Sequence, residues 1–167
     1  LLAGMAVAQV PPAAPPPTPD PQNILHLELS TGGEVVILMR PDKAPASVER
    51  VRTLARAGFY DGVVFHRVIE GFMAQTGDPK GTGEGGSPLP DLKAEFNDLP
   101  HLRGVVSMAR TDQPDTANSQ FFICFQPSFF LDQLWFSRRV LVREVAVRDV
   151  QNINTVPFLS FCGMHRG

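Results

Sequence analysis

One arginine, one glutamine and a set of aromatic and sulfur side chains are the residues best placed to do chemistry together. Arg67 interrupts the apolar run that opens Val63–Asp78. An arginine there costs free energy unless its guanidinium reaches water, a carboxylate or a ligand. Phe72, Met73 and Gln75 follow within eight residues, and Phe121–Phe125 supplies a second apolar stretch. Brought together, these two pieces make one pocket with an apolar floor, a fixed cation and an amide beside it.

Covalent and acid–base machinery finds little support. Ser107 and Ser119 lie near apolar strands, but neither stands in a nucleophile elbow or beside an obvious His–Asp pair. Cys124, inside Phe121–Phe125, reads as a buried, inert thiol. No two carboxylates can be placed on one face for glycosidase work. His26, His66, His101 and His165 lack ligand spacing, so no metal site is expected. Gly81-Thr82-Gly83-Glu84-Gly85-Gly86 matches G-x-G-x-x-G by letter, but Ser87-Pro88-Leu89-Pro90 cannot supply the helix that would hold a pyrophosphate.

A pocket of aromatic and Met walls with one Arg and one Gln suits a different task, the binding of an apolar ring beside a distorted amide. Proline is such a ring, and its preceding peptide bond rotates over a barrier of roughly 18–20 kcal/mol. In the twisted transition state amide resonance is lost and the proline nitrogen gains a lone pair. A guanidinium aimed at that nitrogen stabilises the transition state more than either planar ground state, which is what catalysis requires. Proton transfer, metal and cofactor are all unnecessary.

The elements that must position this pocket follow from periodicity. Ile24–Leu29 and Glu34–Met39 alternate around Ser30-Thr31-Gly32-Gly33 and predict a β-hairpin. From Ala44 the period changes to that of a helix, with Pro45 in its first turn, Val48, Val51, Leu54 and Ala55 on one face, and Gly58 at its end. Val63–Ile69 reads as a strand, Gly77–Pro90 as a long loop, and Ala94–Phe96 as a short strand. Gly104–Ala109 and Gln120–Phe125 are further strands. Short strands, an early helix and glycine-rich connections predict a mainly β protein built as a closed antiparallel barrel.

The motifs Phe65-His66-Arg67-Val68-Ile69, Gly71-Phe72-Met73-x-Gln75-x-Gly77-Asp78, Ser107-Met108-Ala109 and Asn118-Ser119-Gln120-Phe121-Phe122-Ile123 resemble those of cyclophilin-type peptidyl-prolyl isomerases. Order and spacing match over Ile24 to Asp132, and the likeness is to the compact bacterial members. The resemblance implies an eight-stranded closed β-barrel with one or two capping helices. It also implies catalysis by Arg67, with Gln75 and Gln120 holding it and the peptide carbonyls. Phe72, Met73, Phe122 and Leu131 would line the proline pocket, and Ala109 and Arg110 would run beside the substrate backbone. Phe130 stands where many eukaryotic members carry Trp, which implies weaker binding of cyclosporin-type ligands. His66 alternates away from Arg67 and reads as packed or superficial.

At 167 residues, 43% hydrophobic and with a net charge of −2, the chain fits one globular domain with no electrostatic bias toward nucleic acid or anionic membranes. Cys124 and Cys162 do not make a disulfide framework. The chain opens on Leu1, as expected of a fragment or a processed product. Leu1–Val10 reads as the remnant of a signal peptide, with Ala6-Val7-Ala8 as a cleavage site before Gln9, and predicts a periplasmic or otherwise exported protein. Residues 11–22 form a Pro-rich linker, with seven prolines within Pro11–Pro21. Residues 23–132 make the cyclophilin-like domain. Residues 133–167 read as a divergent or frame-shifted segment: after Leu131-Asp132 the expected Gly is absent, Leu134 falls near a pocket position, and Ser137-Arg138-Arg139 replaces a Gly turn. Val140–Val150 is Val-rich and could form a strand. The expected protein is a monomer that acts on proline-containing peptides and unfolded proteins, without cofactor, nucleic acid or stable membrane anchor. The alternative is a proline-peptide binding or chaperone module with little turnover.

Overall fold

The computed structural model describes residues 20–133, 140–147 and 161–163. The expected signal remnant, most of the Pro-rich stretch, Leu134 and residues 137–139 lie outside the described residues. A 3₁₀ turn at Pro21–Asn23 leads into β1 (Ile24–Leu29) and β2 (Glu34–Met39), which pair antiparallel with Leu27 opposite Val35. Alternation does what it predicts: Leu25, Leu27, Leu29, Val35, Ile37 and Met39 all turn into the core. Gly32 (φ +87°) makes the tight return, with its N–H donating to the Leu29 carbonyl at 2.9 Å.

Helix α1 (Pro45–Arg56) buries Val48, Val51 and Leu54 against the sheet. Its Ala44 cap has no side chain able to satisfy the first N–H groups. Glu95 does so from a distant loop, accepting the Ala46 and Ser47 N–H groups at 2.7 and 2.8 Å and the Ser47 hydroxyl at 2.6 Å. That use explains a correction. Ala94–Phe96 is not a strand, because Glu95 is spent on the helix and the Ala94 N–H on Asp115. The only pairing nearby among the described residues is an isolated bridge, Leu92 with Ala117.

The strand expected over Val63–Ile69 is also shorter than its apolar run. Strand β3 covers Arg67–Ile69 alone. The Val63 N–H closes a turn onto the Tyr60 carbonyl, and Val64, whose carbonyl accepts the Thr76 hydroxyl, makes only a single bridge. Strands β4 (Met73–Thr76), β5 (Val106–Met108) and β6 (Phe121–Cys124) fall inside their expected stretches. A short helix, α2 (Phe130–Gln133), follows β6. Strand β7 (Val140–Val147) lies where Val-rich sequence allowed one, and β8 (Phe161–Gly163) pairs with β1.

The eight strands among the described residues join one sheet in the order β3-β4-β6-β5-β7-β2-β1-β8, and the described pairings are antiparallel. The protein is thus mainly β. Val35, Ile37, Ala74, Val106, Phe121 and Ile123 belong to one apolar cluster, so both halves of the sheet feed the same core. Tyr60, the only tyrosine of the chain, is fully buried and donates to the Ser119 carbonyl at 2.9 Å. Its ring meets Phe59 and Phe121 edge-on, so the end of α1 is locked to the start of β6. Among the described residues no helix is long and apolar enough to cross a membrane.

Candidate active site

Residues directly opposite one another in antiparallel strands share a face. Arg67 on β3 faces Gln75 on β4, Gln75 faces Phe122 on β6, and Phe122 faces Ser107 on β5. These four form a row across the sheet. Met73 and Cys124, each two residues along, lie on that same face. The opposite face carries Ala74, Val106, Met108, Phe121 and Ile123, all in the core. The sheet thus separates packing from chemistry by alternation alone.

Arg67 ends the row exposed, so its charge is not desolvated. Among the described residues its guanidinium has no side-chain hydrogen-bond or ion-pair partner. The expected tie from Gln75 and Gln120 to Arg67 takes a different form. Gln75 Nε2 donates to Gln120 Oε1 at 2.8 Å, and Gln120 Nε2 donates to the carbonyls of Gly83 and Gly85 at 2.9 and 2.7 Å. The two amides fix each other and the glycine-rich loop, and the guanidinium is left open.

That loop is wrapped on a buried carboxylate. Asp78 Oδ1 accepts the Lys80 N–H at 2.8 Å, and Oδ2 accepts the N–H groups of Thr82, Gly83 and Gly85 and the Thr82 hydroxyl. Burial by itself raises the Asp78 pKa. The N–H groups of Lys80, Gly85 and Gly83 and the Thr82 hydroxyl outweigh burial and bring the pKa down to about 2. A Cβ at Gly85 would lie 2.0 Å from Asp78 Oδ1, so glycine is required there. The loop reads G-x-G-x-x-G, yet its N–H groups are turned inward to a side chain rather than outward to a phosphate.

A cleft of about 540 Å³ opens beside the row, lined among others by Gln75, Gly83, Gly85, Ala109, Arg110 and Gln120. The Ala109 N–H donates to the Gln120 carbonyl at 2.9 Å, extending β5 along this edge. The Arg110 guanidinium folds into its own loop, with Nη1 donating to the carbonyls of Thr111 and Asp112 at 2.6 and 3.0 Å. On the apolar side the rings of Phe72 and Phe130 meet at 5.3 Å, tilted by 43°. Phe130 is 55% exposed, whereas Met73 is buried and Phe122 and Leu131 are half-buried.

Of two histidines near the site, His66 is packed as the sequence reading allowed, and His101 does more than that reading gave it. His66 is packed beneath the loop, its ring 3.5 Å from where a Gly83 Cβ would stand. Both its ring nitrogens are buried without a hydrogen-bond partner. Burial chiefly lowers its pKa, with Arg67 adding to the effect and the Asp78 charge opposing it. His101 is fully buried. Its Nε2 lies 2.9 Å from Ser107 Oγ and its Nδ1 2.7 Å from Asp132 Oδ1. Ser107 therefore does have a His–Asp pair, contrary to the sequence reading. Six residues separate His101 from Ser107 and thirty-one His101 from Asp132, and no local motif signals that meeting. Ser107 is only 1% exposed in the middle of a strand, so no substrate carbonyl can reach it.

Comparison with known proteins agrees with this architecture. Residues 24–156 match the model of the family described as cyclophilin type peptidyl-prolyl cis-trans isomerase/CLD, a stretch that runs past Asp132, where the motif resemblance ended. A probable peptidyl-prolyl cis-trans isomerase of Brucella suis is 49% identical over 124 residues, covering 68% of this chain and 63% of the relative's length. A peptidyl-prolyl cis-trans isomerase of Synechococcus elongatus is 47% identical over 111 residues, covering 66% of this chain and 73% of that protein. The crystal structure of a cyclophilin from Hirschia baltica superposes with a TM-score of 0.71 at 26% identity, over 88% of this chain and 74% of that one. A Cryptosporidium parvum cyclophilin type isomerase, crystallised in the presence of the dipeptide Ala-Pro, gives 0.72 at 22% identity, over 86% and 98%.

Proposed function

The chain belongs to the cyclophilin-type peptidyl-prolyl cis-trans isomerase family, and from that premise we propose that it accelerates cis–trans isomerisation of X-Pro bonds in folding polypeptides. The observation that carries this reading is the row from Arg67 through Gln75 to Phe122, which sets an open guanidinium beside an apolar floor. The proline ring seats among Phe72, Met73, Phe122 and Leu131, with Phe130 at the rim. Arg67 meets the lone pair that appears on the proline nitrogen as the amide twists. Gln75 and Gln120 hold the peptide carbonyls, and the edge at Ala109 and Arg110 runs beside the substrate backbone. Proline-containing peptides and unfolded chains are the substrates of this site.

In the same reading the eight-stranded sheet closes into a barrel, supported by the single core that both halves of the sheet share. An experimental structure with β3 and β8 far apart would overturn that closure. The apolar Leu1–Val10 followed by a proline-rich stretch supports export to the periplasm. Recovery of the full-length precursor in the cytoplasmic fraction alone would argue against it. We take the protein to act as a monomer, which sedimentation of the purified chain would check.

The activity has a direct test. The purified chain should accelerate isomerisation of a proline-containing tetrapeptide, and Arg67→Ala should lower kcat/KM by about 100-fold, as when one transition-state donor is removed elsewhere. Because Arg67 is exposed, its loss should leave thermal stability nearly unchanged. A folded wild-type chain without acceleration, or an Arg67→Ala variant within threefold of wild type, would sink the proposal.

A further inference from the structure

The His101–Asp132–Ser107 array is not used by the isomerisation chemistry, yet it reaches the pocket. The imidazole stacks parallel to Phe122 with a lateral offset, ring centroids 6.1 Å apart and planes 8° apart. Phe122 faces Gln75 on one side of the row and Ser107 on the other. Asp132 belongs to α2, the helix that also carries Phe130 and Leu131. The His101 carbonyl accepts the Ser128 N–H at 2.7 Å, and the His101 N–H donates to Asp132 Oδ1 at 3.2 Å. One buried residue therefore grips the strand side of the pocket through Ser107 and Phe122, and the helix side through Asp132 and Ser128.

We infer that His101 is a positioning residue of the proline pocket: oriented by Asp132, it fixes the ring of Phe122 and the distance from that ring to the α2 wall at Phe130 and Leu131. The inference rests on the proposed placing of the proline ring on Phe122. The chemistry supports orientation rather than nucleophilic catalysis. A carboxylate at 2.7 Å requires the proton on Nδ1, so a neutral imidazole uses Nε2 to accept from the Ser107 hydroxyl. With both nitrogens engaged, the ring cannot rotate about its Cβ–Cγ bond without leaving buried polar groups unpaired. A ring so held is a rigid backing for the aromatic floor. Gln75 and Phe122 stand between Arg67 and Ser107 in the row, so loss of the array should weaken seating of the proline ring and leave the charge stabilisation in place.

The test uses the full chain and four variants. His101→Phe keeps a flat ring and loses both hydrogen bonds. Asp132→Ala removes the orienting carboxylate, whereas Asp132→Asn retains an acceptor at Oδ1. Leu54→Ala, in α1 and in the core cluster on the opposite face of the sheet from the row, supplies destabilisation. For a proline tetrapeptide, His101→Phe and Asp132→Ala should raise KM about fivefold with kcat nearly unchanged, the pattern of lost uniform binding. Asp132→Asn should restore most of the affinity, and Leu54→Ala should not alter KM. Peptide dissociation constants measured in parallel by NMR titration should follow the same order. If the wild-type chain binds the peptide but does not isomerise it, the enzyme reading fails while the dissociation constants still decide the role of His101. Should His101→Phe not fold, the Asp132→Ala and Asp132→Asn pair decides it alone. The inference is overturned if Asp132→Ala matches wild type in KM and in dissociation constant, or if Leu54→Ala weakens binding as much.

Discussion

Gln75 donates its side-chain amide to Gln120, and Gln120 in turn donates to two carbonyls of the loop that carries Gly83 and Gly85. The order of these bonds assigns the amide orientations. Gln120 must offer its oxygen to Gln75 and its nitrogen to the loop. Gln120→Glu would keep the acceptor but set a carboxylate oxygen against the Gly83 and Gly85 carbonyls. The expected cost is about 2 kcal/mol of stability, from two lost donors and a new repulsion. A fall in kcat/KM of roughly tenfold should accompany it as the loop moves from the cleft. Urea unfolding and the tetrapeptide assay check both.

Asp78 makes a prediction about acid. Its folded pKa of about 2 lies below its ordinary value of 3.8, so its stabilising contribution is complete above pH 4 and fades as pH falls toward 2. Asp78→Asn should cost about 3 kcal/mol at neutral pH, because an amide nitrogen would then face backbone N–H groups. The variant should also lose stability less steeply than wild type between pH 4 and pH 2. Denaturant midpoints across that range measure the difference.

Titration of His66 should appear in a higher window. Its folded pKa is lowered from an unfolded value of 6.5, so stability is fully present above pH 6.5 and declines as pH falls below it. His66→Phe removes the titrating ring and should flatten this part of the curve. Equal slopes for the two proteins between pH 7 and pH 5 would refute the assignment.

Two glycines with similar backbones should respond very differently to alanine. At Gly77 (φ +93°) a Cβ would stand 2.4 Å from the Ser119 carbonyl oxygen and 2.8 Å from the Gln120 Cα. At Gly62 (φ +72°) nothing lies within 4 Å. Gly62→Ala should cost about 1 kcal/mol, from the left-handed backbone alone. Gly77→Ala adds backbone collision and should cost more than about 3 kcal/mol. Thermal midpoints of the two variants decide between strain and space.

Much of this was legible in the residues. Alternation placed β1 and β2, and Pro45 and Gly58 bracketed α1, because these signals are local and the elements obey them. The motif order around Arg67, Gln75, Gln120 and Phe122 identified the family that the full match establishes. What stayed hidden depends on distant partners. Glu95 reads as part of a strand until the uncapped N–H groups of α1 claim its carboxylate. His101, Ser107 and Asp132 have no shared spacing, so only the fold brings them together. The inward turn of the glycine loop was equally invisible, since Asp78 precedes it by only a few residues and could as well have faced solvent.

The position of β7 carries one more consequence. In the sheet order it stands between β5 and β2, so among the described strands it is the sole main-chain link between β3-β4-β6-β5 and β2-β1-β8. During vectorial synthesis the first hairpin leaves the ribosome more than a hundred residues before its ladder partner at Val140–Val147. Until then its outer edge has no strand to pair with, and the nascent chain must hold it in solution unjoined. The register of the earliest segment is thus settled by one of the latest.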